Sequence, residues 1–350
     1  MKPLSVKILL LLACALAVLP RAGFAATGGS FEISGWIPYW RATSGVESIV
    51  PHLDTFTEVN PFVYTVKQNG ELNEASPLTD PQWANLAIQA KAKGIRFIPT
   101  VMWANPDAID DVLRDPVKRK AHVSAIVREV YTRTFDGIDI DYESKYARTR
   151  PYFSLFLKEL YTAMEYDKWI ICTIEARTPL DSRYSSPESI PKDIEYANDF
   201  AEINKYCDRV RIMAYDQGRI DLTLNKINRD PYVPVADKAW VEKVVLLAAQ
   251  EVDKEKIVIG VPTYGYEYDT FSALDGSGKI EYSNLWSFNP GYAVQTAQKL
   301  GLTPTRNSAG ELSLVYPAAQ SLDPAIPLPN ATRVMSWSDA TAIREKAELA

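Results

Sequence analysis

Histidine and cysteine are scarce in this 350-residue chain, and their scarcity removes whole classes of chemistry. His52 and His122 lie far apart, and neither has an acid or thiol at a metal-ligand spacing, so neither a metal site nor a cofactor is expected. Of the three cysteines, Cys14 falls in the N-terminal leader. That leaves Cys172 and Cys207, which are either a disulfide of an oxidising compartment or two buried thiols. Positive charge is also short, with 38 Lys and Arg against 44 Asp and Glu and a net charge of −6. No basic cluster stands out, which argues against nucleic acid and anionic membrane surfaces, whereas a neutral polymer stays compatible as a partner. The apolar run Ile8–Leu19 is too short to span a bilayer. With Lys2 and Lys7 before it and Gly23-Phe24-Ala25 after it, residues 1–25 read as an export signal, so a secreted or cell-envelope location is expected for the chain from about Ala26. Leu11-Leu12-Ala13-Cys14 faintly resembles a lipoprotein cleavage site, but the apolar run continues past Cys14.

What the chain does contain is a repeated β then α rhythm. Apolar, β-rich segments occur at Phe31–Trp40, Thr57–Val66, Arg96–Trp103, Phe135–Glu143, Trp169–Ala176, Arg209–Asp216 and Lys256–Gly265. Helical periodicity fills most of the intervals. The clearest stretch is Pro81–Lys93, with Asp80 at the capping position, Pro81 in the first turn and Gly94 just beyond the end. Such alternation predicts an α/β fold with a parallel sheet, and seven or eight units favour a TIM-type (β/α)8 barrel over residues 26–350. In such a barrel the carboxyl ends of the strands carry the site, and here they are rich in aromatic and polar side chains, among them Trp36, Tyr39, Trp40, Phe62, Trp103, Glu175, Tyr264 and Tyr266. From Glu267 to about Arg333 the rhythm breaks. This stretch (267–333) reads as a small α+β insertion after strand seven that walls a groove beside the barrel mouth.

The segment Phe135-Asp-Gly-Ile-Asp-Ile-Asp-Tyr-Glu143 places Asp139, Asp141 and Glu143 at every second position. Strand side chains alternate between faces, so the three acids share one side and Ile138, Ile140 and Tyr142 the other. A buried carboxylate costs several kcal/mol unless it is paired or protonated, so the row is better read as chemistry than as packing. A calcium loop would need a glycine after its third ligand and a flexible turn, whereas Gly137 precedes the acids and two isoleucines enforce an extended strand. A structural ion pair would need basic partners, and alternation in the other strands suggests no inward Lys or Arg. Crowded carboxylates cannot all ionise, so at least one keeps its proton well above its ordinary range. Glu143, nearest the mouth, is the natural proton donor.

Asp136-Gly-Ile-Asp139-Ile-Asp141-Tyr-Glu143 resembles the Asp-x-x-Asp-x-Asp-x-Glu signature of the family 18 glycoside hydrolases, the chitinase-like barrels. Met213-Ala-Tyr215-Asp216 and Gly260-Val-Pro-Thr-Tyr264-Gly265 resemble that family's sixth- and seventh-strand motifs. The segments Gly35–Trp40 and Val59–Tyr64 are similar to the bacterial branch that includes spore-cortex and other peptidoglycan-directed members. The resemblance implies a nucleophile supplied by the substrate's own 2-acetamido oxygen, an exception to the two-carboxylate scheme. It further implies that Glu143 protonates the glycosidic oxygen, Asp141 orients the acetamido N–H, Asp139 holds Asp141, and Tyr215 donates to the acetamido carbonyl. Met213, Asp216, Tyr39, Phe62, Trp103, Tyr264 and Trp337 are the expected sugar contacts. The expected partner is a polysaccharide, chitin or peptidoglycan, acted on by a monomer that does not span a membrane.

Two other functions stay open in the sequence: a catalytically silent lectin-like barrel, and a two-carboxylate glycosidase using Glu175. The last strand is also ambiguous. Arg333–Asp339 with the amphipathic Ala340–Ala350 resembles the strand and helix that precede the family's eighth strand, which would leave the closing strand absent. Alternatively, Val334–Trp337 is itself the final strand and Trp337 the sugar platform.

Overall fold

The computed structural model describes residues 31–165, 167–228, 231–273, 279–320 and 330–350. The expected export signal, residues 1–25, lies outside them. Seven parallel strands form the wall of a TIM-type barrel: β1 (Ser34–Pro38), β2 (Glu58–Val66), β3 (Thr100–Trp103), β4 (Gly137–Tyr142), β5 (Trp169–Glu175), β6 (Arg209–Met213) and β7 (Ile257–Ile259). They pair side by side in chain order, every pair parallel. Two short strands, Leu72–Glu74 and Arg96–Phe97, add to β2.

Helices return the chain between strands, and their starts are written locally. In Pro116–Thr132, for example, proline fills the first turn and the Asp115 carboxylate accepts from Val117 N and Lys118 N. The helix expected at Pro81–Lys93 runs Pro81–Ala92 with Asp80 at its N-cap position, and Gly94 beyond it adopts a φ of +68°. Gly137 opens β4 for a steric reason: a Cβ there would lie 2.2 Å from the Trp169 carbonyl oxygen, so only glycine lets β4 and β5 approach at that point.

The strands face two ways. Their outward side chains join the helices in one large core that includes Ile138, Ile140, Tyr142, Phe153 and Phe156, whereas Ile98, Trp169 and Ile171 form a separate small cluster. Cys172 on β5 and Cys207 just before β6 are both buried and joined as a disulfide across 35 residues, which resolves the alternative left open by the sequence. Constraining a loop of that length contributes roughly 3–4 kcal/mol.

The seventh strand is shorter than the sequence pattern implied. Apolar composition continues to Gly265, but only Ile257–Ile259 pair with β6, and Gly265 already starts a second sheet. That sheet is antiparallel and comprises β8 (Gly265–Ser272), β9 (Ile280–Phe288), β10 (Thr305–Arg306), β11 (Leu312–Pro317) and β12 (Thr332–Trp337), in the order β9-β8-β12-β11-β10. A core cluster joins the sheet to the helix Pro290–Leu300, with Phe288, Leu314, Tyr316, Met335 and Trp337 packed around Ala293 and Ala297.

Val334–Trp337 therefore belongs to this antiparallel sheet and is not a barrel strand. Trp337 is 1% exposed, its ring 6.2 Å from that of Phe288, so it offers no sugar platform. Among the described residues no eighth parallel strand joins β7 to β1.

Candidate active site

Strand alternation on β4 delivers the acid row inward. Asp139 pairs in register with Thr100 and Ile171, and Asp141 with Met102 and Thr173. On the opposite side, Tyr142 meets the His122 imidazole and stacks on Phe156, 5.3 Å between ring centres. Burial drives the His122 pKa down to about 4, so this pair is neutral packing.

The three acids sit in three different environments. Asp139 is fully buried and fully matched: Thr100 Oγ1, Thr173 Oγ1 and Arg211 Nη1 each donate to it at 2.7 Å. Arg211 also donates to Glu58 Oε1 at 2.9 Å and to Asn60 Oδ1 at 3.2 Å, and Trp36 Nε1 supports Thr100 Oγ1 at 2.8 Å. Asp141, also fully buried, has no hydrogen-bond partner on either carboxylate oxygen among the described residues. Burial first, then the charges of Asp139 and Glu143, raise its pKa well above the usual carboxylate range. Glu143 is half-buried, and burial, then Glu175, raise it too, with Lys145 opposing. Burial raises the Asp139 pKa too, with Arg211, Thr173 and Thr100 opposing, so all three acids are shifted upward and only Asp139 has a cation against it, a graded stack running toward the open end of the barrel.

The expectation that no inward base serves the row is wrong. Arg209, Arg211 and Met213 alternate along β6, and that alternation was the available signal for Arg211. Its charge neutralises Asp139 and Glu58 but leaves Asp141 unpartnered, so the ion pair supports the row without satisfying all of it.

Beyond β6, Asp216 adopts a φ of +59°, uncommon for a residue other than glycine, and accepts a hydrogen bond from the Tyr264 hydroxyl. Tyr215 lies 6.2 Å from the Tyr264 ring. Its hydroxyl is pushed up by burial, then by Asp141, Asp216 and Glu143, which keeps it protonated as a donor. Met213 ends β6 partly exposed, opposite Glu175 in register.

At the ends of β1 and β2, Trp36 stacks on Phe62 at 4.9 Å, with Tyr39 and Trp40 edge-on at 5.9 and 5.3 Å. Tyr39 is 37% exposed and presents a ring to solvent, as do Trp36 and Trp40, which the sequence marked as strand-end aromatics without assigning them to the site. Phe62, expected as a sugar contact, is 3% exposed and lies among these rings as their support. Trp103 is likewise 2% exposed. It pairs in register with Tyr142, and its ring lies against Tyr142 and His122, so it faces the outer helices and not the cavity. Lys145, Thr173 and Asn198 were not foreseen, and all three touch the acid row or Glu175.

Among the described residues no cluster of His, Cys, Asp and Glu is arranged to hold a metal ion, and no helix is long and apolar enough to cross a membrane.

An uncharacterized glycosylase, YvbX, of Bacillus subtilis (strain 168) is 21% identical over 236 residues, 67% of this chain and 63% of its own length. The chain therefore spans less than two thirds of that relative. Among solved structures, a class V chitinase from Pseudomonas fluorescens Pf-5 superposes with a TM-score of 0.69 at 19% identity, covering 91% of this chain and 90% of that one. The Bacillus cereus spore cortex-lytic enzyme SleL gives 0.68 at 18% identity over 91% and 67%. The family model of the glycosyl hydrolases family 18 matches residues 36–348. With the acid row at the end of its fourth barrel strand, the chain belongs to the glycosyl hydrolases family 18.

Proposed function

We propose that the protein is an exported glycosidase that cleaves β-1,4 linkages at N-acetylglucosamine, in chitin or peptidoglycan, by substrate-assisted retention. The observation that carries this reading is Asp141: a buried carboxyl without a protein partner among the described residues, its pKa raised by burial, between an ion-paired aspartate and a half-buried glutamic acid. Such a group is costly to keep and is poised to bond a polar atom brought in by substrate. An acetamido N–H is an atom of that kind. Once Asp141 turns to it, the acetamido oxygen is oriented at the anomeric carbon, with Tyr215 donating to that oxygen.

Glu143 then gives its proton to the glycosidic oxygen as the bond to the anomeric carbon breaks and the acetamido oxygen bonds to the same carbon. Asp141 and Asp139 stabilise the cyclic cation. Water next attacks the anomeric carbon from the face the leaving sugar vacated, returns a proton to Glu143 and regenerates the acetamido group. Two inversions give net retention. The exposed rings of Trp36, Tyr39 and Trp40 suit the apolar faces of neighbouring sugars.

The test is parallel digestion of purified chitin and peptidoglycan, with products identified by mass, alongside Glu143→Gln. That variant is expected to bind glycan and to lose about 10²- to 10⁴-fold in turnover. Near-normal hydrolysis by Glu143→Gln would overturn the assignment, and binding without cleavage by the unmodified protein would identify a lectin.

A further inference from the structure

The backbone on both sides of Glu143 is gripped by side chains that the reaction above does not use. At Ser144 the chain turns through a φ of +57°, a conformation that a residue other than glycine adopts only when its surroundings hold it there. The Ser144 N–H donates to Glu175 Oε1 at 2.8 Å, and Asn198 Nδ2 donates to Glu175 Oε2 at 3.0 Å. On the other side, the Tyr142 carbonyl accepts from Lys145 Nζ. The Lys145 side chain is completely buried, its ammonium 3.8 Å from Glu175 Oε2 and 4.6 Å from the centre of the Phe153 ring.

A fully buried ammonium whose carboxylate partner is 38% exposed is a weak device for stability, since the ammonium is desolvated while its partner stays in contact with water. Placed against a row of acids, it has another use. The charged and titratable groups that face Glu143 are Asp141 from its own strand, Glu175 from the end of β5, Tyr215 and Asp216 from beyond β6, and Lys145. With Glu143 as the acid of the proposed reaction, on which this inference rests, we propose that Glu175 and Lys145 are positioning residues that lock the turn carrying it and bracket its carboxyl with opposite charges.

Glu175 is suited to this and not to nucleophilic attack. Burial alone would raise its pKa, but Lys145, Asn198 and the Ser144 N–H outweigh that and lower it, leaving a carboxylate already committed to protein donors. Burial lowers the Lys145 pKa, against the pull of Glu175, Asp141 and Glu143.

The two charges act on Glu143 with opposite signs, and this gives the test. The alkaline limb of kcat/KM reports loss of the acid's proton in the free enzyme. Glu175→Gln keeps an oxygen for the Ser144 N–H but removes a negative charge, and should move that limb to lower pH by about 1 unit. Lys145→Met, or Lys145→Gln should that variant not fold, removes the positive charge and should move the limb to higher pH by about 1 unit. Glu175→Ala also removes the acceptor, and should lose roughly 10-fold or more in kcat with little change in KM, with Glu175→Gln restoring most of that loss.

Thermal unfolding of each variant is followed in parallel. Altered melting temperatures with both limbs unmoved, or limbs moving the same way, would overturn the inference while leaving the acid assignment standing. A wild-type protein that cleaves neither glycan would overturn that assignment, and this inference with it.

Discussion

The barrel and the antiparallel sheet both bury carboxylates, and they treat them differently. In the second sheet, Glu267 and Asp269 face one arginine: Arg333 Nη1 donates to Glu267, Arg333 Nε donates to Asp269 at 2.6 Å, and Trp286 Nε1 completes Glu267 at 2.6 Å. In the barrel, Arg211 matches Asp139 and Glu58 but nothing matches Asp141, although Asp141 is as deeply buried as Asp139. Paired buried charge holds two strands in register. An unpaired buried carboxyl is a cost that packing alone would eliminate, and its persistence marks where the chain is built for something other than stability.

Three experiments test that contrast, the largest effect first. Asp141→Asn should cost about 10²-fold or more in turnover, because an amide cannot ionise as the cyclic cation forms beside it. Its melting temperature should stay within a few degrees of wild type, since no protein partner is lost. A large drop in stability with turnover retained would reverse the roles assigned to the two regions. Arg333→Met should do the opposite, losing about 3–5 kcal/mol in denaturant unfolding because Glu267 and Asp269 are left buried without their cation, while the kcat of the folded fraction is kept.

The smallest effect lies between the two regions, at Glu311. Its carboxylate accepts from Val235 N and Ala236 N, and burial raises its pKa from 4.5 to about 7. The unfolded chain releases this proton near 4.5 and the folded chain keeps it to about 7. The stability it contributes is therefore full below 4.5 and is lost as the pH rises through 7. Relative to Glu311→Gln, the wild type should weaken by up to about 3 kcal/mol over that window, read as melting temperature against pH. Asp339, held down to about 2 chiefly by its hydrogen bond from Arg306, changes state only below 3.8, outside the window. Parallel pH profiles for variant and wild type would remove Glu311 as a pH-sensitive link between sheet and barrel.

The alternation of β4 was legible because period-two patterning is local: three acids on one face and Ile138, Ile140 and Tyr142 on the other follow from the backbone alone. Trp103 misled for a related reason. Position at a strand end gives depth along the barrel but not the face, and register with Tyr142 puts Trp103 among the helices. Phe62 has the right face, but the rings of Trp36, Tyr39 and Trp40 surround it. Trp337 failed as a sugar contact, and the alternative that made it the last barrel strand failed with it, because an apolar hexapeptide reads alike in a parallel or an antiparallel sheet and its partners, Gly265 and Leu312, are set by long-range pairing.

By itself, the sequence determined the βα rhythm and the inward acid row, since each depends on spacing within a few residues. Only the tertiary structure decided which acids are paired. Arg211 lies 72 positions from Asp139 and 153 from Glu58, and whether a carboxylate is neutralised or left to hold a proton depends on which side chains converge in space. Ionisation is set by distance and burial, neither of which is written along the chain.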